Sequence, residues 1–203
     1  MTENISILQA EFEPKRFTLF PPGVLGVDIM AKTALTKTLE ALARRIGFDD
    51  IQVVVNRLRQ GDQSLWDDFH YKLSEMVAEQ LGNLDKDVKA VFIDEYDVNP
   101  GDLAFGEAAR TTVLYLIVWV QRKEDDLKTL VTALDQALVQ CFLEQIGKPR
   151  LKHLLEVGII DDDEARKLFG YGAMLAANCF PLTEVWRRQG AHIKVRGETS
   201  VTG

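Results

Sequence analysis

Three stretches of the chain repeat apolar residues at helical spacing. Between Asp28 and Gly47, residues Leu35, Leu39, Leu42 and Ile46 recur at i, i+4, i+7 and i+11, with Asp28 placed to cap the helix and Gly47 to stop it. After Ser64, a second stripe of Trp66, Phe69, Leu73, Met76 and Val77 with Gln80 or Leu81 predicts a helix over 65–81, halted by Gly82-Asn83. The third runs through Leu127, Leu130, Val131, Leu134, Leu138, Cys141 and Phe142, opened by Asp125 or Asp126 and ended at Gly147 before Pro149.

Between these helices the pattern changes. Val88 to Ile93 and Thr112 to Val120 are apolar at successive positions, as strands covered on both faces are. The connection between them, 94–111, carries Asn99-Pro100-Gly101-Asp102 and has no helical stripe, so antiparallel pairing is expected. The β-branched run Ile51 to Val55 predicts a further short strand. Beyond Lys148 the chain reads as short helices, Leu151 to Val157 and Asp163 to about Asn178, followed by a turn from Pro181 to Arg188. Phe12, Phe17 and Phe20 precede the Pro21-Pro22-Gly23 break, a spacing that suits an extended arm with aromatic anchors.

The fold class is therefore α+β: a small mixed or antiparallel sheet packed with long helices, plus a helical C-terminal subdomain. The expected organisation is an extended arm over 1–27, an α+β core over 28–147, a helical C-terminal subdomain over 148–189 and a frayed tail over 190–203.

Composition narrows the function classes. Twenty-four Lys and Arg against 31 Asp and Glu give a net charge of −7, which repels phosphate backbones and anionic lipids. Two cysteines and three histidines point neither to a disulfide framework nor to a Cys/His zinc site, and suit a reducing cytoplasm. The first residues carry Glu3 and no basic, apolar and small-residue succession, so no secretory signal is expected. The longest apolar run, Val113 to Val120, is far shorter than the roughly 20 residues that span a bilayer.

Asp94-Glu95-Tyr96-Asp97 closes the first inner strand, and Asp102 and Glu107 follow in the loop. Carboxylates at a strand end can gather Mg²⁺, a hard cation that takes several oxygen ligands; the competing account is a strand leaving the core and meeting water. Asp102 with Gln121-Arg122-Lys123 also follows a nuclease-like pattern, in which Gln121 and Lys123 would share a strand face and the lysine would approach a scissile phosphate. Asp94, Asp97, Asp102 and Lys123 thus form the candidate catalytic set, the first three also as Mg²⁺ ligands.

The succession helix 65–81, strand Val88 to Ile93, loop, strand Thr112 to Val120, helix resembles small nucleotidyltransferase-fold domains in element order over about 85 residues. Asp94-Glu95 stands where that family has Gly-Ser, and Thr112-Val113-Leu114-Tyr115-Leu116 stands where it has its acid pair. The resemblance implies a degenerate, non-catalytic copy.

Other motifs favour structural roles. Cys141 and Cys179 lie in apolar surroundings, and His70, His153 and His192 have no partner assignable from spacing. Gly23-Val24-Leu25-Gly26 lacks the residues of a phosphate loop and reads as a turn into a helix. Gly170-Tyr171-Gly172-Ala173 suits a close helix approach, and Asp161-Asp162-Asp163-Glu164 suits a capped helix start. Arg187, Arg188, Lys194 and Arg196 form a modest basic cluster. The function expected from these features is a non-enzymatic interaction or assembly protein. It would dock on a protein partner or a second copy, with Phe12, Phe17 and Phe20 as anchors and no cofactor; the alternative is the Mg²⁺-dependent phosphoryl-transfer or nuclease set above.

Overall fold

The computed structural model describes residues 26–94, 113–147, 152–167, 172–173 and 182–191. Most of the expected arm, the loop 95–112 and the tail from 192 lie outside the described residues. Helix α1 spans Val27–Arg45, and its N-cap is Gly26 at φ +101°, a left-handed conformation that glycine adopts without a Cβ clash. Asp28 sits inside the first turn, where its charge complements the helix dipole without capping. The α1 stripe, including Ala31, Leu35, Leu39 and Leu42, is buried, and the Thr38 hydroxyl within it donates to the Ala34 carbonyl at 2.8 Å.

Residues Ile51–Arg59 form helix α2, not the strand expected from Ile51 to Val55. Asp50 caps it by accepting from the Gln52 N–H at 2.8 Å, and Val54, Val55 and Leu58 bury one helical face. Burial at i, i+1 and i+4 outweighs the β preference of the valines. Helix α3, Gln63–Leu84, is capped by Asp62 rather than Ser64 and continues through Gly82-Asn83. Asp62 accepts from the Leu65 N–H and takes two hydrogen bonds from the Arg57 guanidinium, at 2.8 and 2.5 Å.

Arg57 first, and the Leu65 N–H second, hold the Asp62 carboxyl below the usual carboxylate range. A depressed folded-state pKa contributes stability that is present above the unfolded value of about 4 and is lost as pH falls through the folded value. Asp62→Ala is therefore expected to lower the Tm at pH 7 and to flatten the fall in Tm below about pH 4. Melting curves across that range check it; an unchanged acid limb contradicts the role given to this carboxylate.

The sheet comprises β1 (Val88–Asp94), β2 (Leu114–Val120), β3 (Leu155–Asp161) and β4 (Leu182–Arg187) in the order β3-β2-β1-β4. The β1–β2 pair is antiparallel, as expected, with Val88 opposite Val120 and Ile93 opposite Leu116. Helix α4, Asp125–Gln145, carries the chain from β2 to β3, which pairs with β2 in parallel. The short helix α5, Asp162–Lys167, follows, and β4 pairs antiparallel with β1.

The sheet is mixed and the class is α+β. Within 148–189, however, the described elements are mainly strands: Leu155–Asp161 replaces the end of the expected helix 151–157, and Leu182–Arg187 replaces the turn 181–188. Each is six or seven residues long and pairs with a strand distant in sequence, so local propensity does not decide its state.

One sheet face, with Val91, Leu116, Val118 and Leu155, packs with α1, α3 and α4 into the main core. The other gathers Ala90, Phe92, Ile117, Trp119 and Ile160 into a smaller cluster. Two arginines join distant elements by donating to helix-end carbonyls, where positive charge also meets the negative end of the dipole. Arg59 reaches Gln145 and Ile146 at the end of α4, both at 3.0 Å. Arg188 reaches Gly82 and Asp85 at the end of α3, and Val88. Among the described residues, no helix is long and apolar enough to cross a membrane.

Candidate functional site

Asp94 ends β1 on the second face of the sheet, one residue beyond the Ile93–Leu116 pair, while Tyr115 lies opposite Glu156 in the β2–β3 register. With Leu116, Ile117, Val157 and Gly158 these residues line a depression of about 100 Å³. Glycine at 158 places no side chain over its floor. Two carboxylates and a phenol on three adjacent strands can attract a cation or accept hydrogen bonds from a polar ligand. Glu156 was not among the candidate residues; the period-two alternation of Leu155, Val157 and Ile159 with Glu156 and Gly158 is the signal that places it on this face.

Lys123 does not join Asp94. The register places Val88 and Val120 at one end of the β1–β2 pair and Asp94 at the other. Six residues of strand at about 3.3 Å each put the two groups roughly 20 Å or more apart. The strand also ends at Val120, so Gln121 and Lys123 are not on one strand face; the Gln121 N–H donates to the Asp87 carbonyl, and the Lys123 ammonium pairs with Glu164 at 2.5 Å. Asp97, Asp102, Phe12, Phe17 and Phe20 lie outside the described residues. Among the described residues, no group of three or more His, Cys, Asp or Glu side chains is arranged to hold a metal ion.

The acids 161–164 form the expected helix start. Asp161 accepts from the N–H groups of Asp163 and Glu164, and Glu164 accepts in return from the Asp161 N–H, a reciprocal capping box. Asp162 takes both oxygens to Lys89, at 2.7 and 2.6 Å, and accepts from the Trp119 indole N–H at 2.9 Å. Gly172 supports the close approach expected of its segment, since an added Cβ would lie 2.3 Å from the Glu164 carbonyl oxygen.

A further polar centre escaped the sequence reading. Asp135, on α4, is only 8% exposed, and one carboxylate oxygen accepts from the N–H groups of both Leu154 and Leu155 at 2.8 Å. Its other oxygen lies 3.3 Å from His153 Nδ1, and the His153 side chain is largely exposed. Asp135 shares a helical face with Val131, Leu138 and Phe142, at i, i+4, i+7 and i+11, which was the available signal. Its geometry anchors the start of β3.

The remaining candidates are engaged in packing or pairing. Burial, then Glu144 and Asp28, pushes the Cys141 thiol above its ordinary pKa, so the nucleophilic thiolate is disfavoured. His70 packs in tilted contacts with Trp66 and Phe69, with ring centroids 5.8 and 6.3 Å away. Arg187 pairs with Glu184, whose carboxylate raises the guanidinium pKa further. Compared with known proteins, the chain matches no family model, no curated protein and no solved structure at a significant level. The element-order resemblance to nucleotidyltransferase-fold domains gains no support there. Among the described residues, the fold is of the α+β class with a mixed four-stranded sheet.

Proposed function

We propose that this chain is a non-enzymatic interaction or assembly protein that docks on a protein partner, a second copy being the simplest case. The observation carrying the reading is the set of large apolar side chains outside the filled core: Ile29 is 72% exposed, Leu84 50%, Phe48 47% and Tyr71 45%. Removing such surface from water favours association, and the net charge of −7 directs it to a protein rather than to a polyanion. The candidate Lys123 and the charged groups Asp135, Asp162 and Glu164 meanwhile hold structural elements together. Phe12, Phe17 and Phe20 are proposed as additional anchors, and a reducing cytoplasm as the setting, from the two cysteines.

Size-exclusion chromatography with light scattering tests this on the full chain, on the Ile29→Glu/Leu84→Glu variant and on a chain lacking residues 1–22. The expected result is a concentration-dependent dimer that both changes weaken at least about tenfold, with unchanged circular dichroism. A strictly monomeric full chain overturns self-association; a dimer indifferent to both changes overturns the surfaces named.

The depression beside Asp94 and Glu156 supports a second reading, Mg²⁺-dependent phosphoryl transfer. The docking reading expects no shift in Tm with millimolar Mg²⁺ or Mn²⁺. A metal-dependent rise that Asp94→Ala abolishes would favour the second reading instead.

A further inference from the structure

We infer that α5 is an electrostatic latch, a short element clamped by two lysines over one end of the sheet's second face, which opens while the helical layer stays folded. Helices α1 to α4 each bury an apolar stripe, whereas none of the described residues Asp162–Lys167 of α5 is buried. Among the described residues, its side-chain attachments to the sheet and its flanks all run through the carboxylates of Asp162 and Glu164. Lys89, near the start of β1, bonds both oxygens of Asp162, and Lys123, just beyond β2, pairs with Glu164.

The Val88–Val120 register brings both lysines to the same end of the sheet. Their ammonium groups thus grip the first and third residues of α5 together. The side chains in both pairs are 24–38% exposed, so dissolved salt reaches and screens them. It does not screen the apolar contacts of α1, α3 and α4 in this way, and added salt therefore weakens the attachment of α5 selectively.

Beneath the latch lies Trp119, 3% exposed, with its ring 4.9 Å from the Lys89 ammonium and its N–H on Asp162. Ala90 and Ile160 adjoin it in the same cluster. Asp161 remains paired with Val120 as the last residue of β3, so it is the fixed end about which α5 turns. The helical pair Gly172–Ala173, with Gly172 buried directly against the backbone of Glu164 and Ala165, moves with α5 as part of the latch.

The Trp119 indole N–H reports the latch directly, since its acceptor belongs to α5. Its signal is identified by loss in Trp119→Phe, and its hydrogen exchange is followed by NMR alongside the Leu134 amide of α4. The expected rate exceeds that of Leu134 at least about tenfold and rises a further roughly threefold between about 50 and 500 mM NaCl. Lys89→Met raises it at low salt and reduces its salt dependence, whereas Lys89→Arg keeps both near wild type. Should Lys89→Met lose Leu134 protection, Glu164→Gln supplies the same comparison through the other ion pair. Exchange of the indole proton in step with Leu134 at both salt concentrations places α5 in the global unfolding unit and overturns the inference.

Discussion

Asp135→Ala is expected to cost about 3 kcal/mol of stability, because two amide donors at the start of β3 lose their acceptor. Leu154 is fully buried and Leu155 is 5% exposed, so water does not readily replace the carboxylate. Such a loss corresponds to about 10 °C in Tm for a domain of this size. The informative comparison is Asp135→Asn. Both amides bond the same oxygen, which a carboxamide retains, and its NH₂ group can face His153. That substitution sacrifices only the charge assistance and is expected to cost about 1 kcal/mol. Urea unfolding of the three proteins measures both differences. Equal losses for alanine and asparagine would show that charge, not the shared acceptor, anchors β3; a loss under about 1 kcal/mol for alanine would remove the anchor altogether.

Gly82→Ala gives the second large effect, and its sign decides between two arguments. Within a helix, alanine should stabilise by about 1 kcal/mol over glycine. At this position a Cβ would fall 2.2 Å from Trp186 Cζ2 and 2.4 Å from two neighbouring ring atoms. The ring is held from its other surroundings by the Arg188 guanidinium, 5.3 Å from its centroid, and by the pairing of β4 with β1. The expected outcome is a loss of about 3 kcal/mol as β4 is pushed from α3. In a Trp186→Leu background the same change should be nearly neutral or stabilising, so thermal or urea unfolding of the double-mutant cycle should show strong coupling. Additive effects would mean that the indole does not occupy the space over Gly82.

This glycine also shows how a correct sequence cue can be given the wrong cause. Gly82-Asn83 resembles a helix stop, yet α3 passes through it to Leu84, because Gly82 is needed for a side chain about 100 residues away. Asp135 is similar: its place on the buried face of α4 was visible, but its partners Leu154 and Leu155 were not. For the candidate catalytic set, the strand-end position of Asp94 was legible, whereas the separation of Lys123 from it required the β1–β2 register.

The amino-acid order by itself determined α1, α3 and α4, the two inner strands and their antiparallel pairing, because each depends on a long stripe, an apolar run or a connection without a helical stripe, all legible within one segment. Only the tertiary structure decided that Ile51–Arg59 coils, that Leu155–Asp161 and Leu182–Arg187 extend, and which charges meet. Those outcomes depend on surfaces and hydrogen-bond partners supplied from distant parts of the chain, and short segments have too little intrinsic preference to settle them alone.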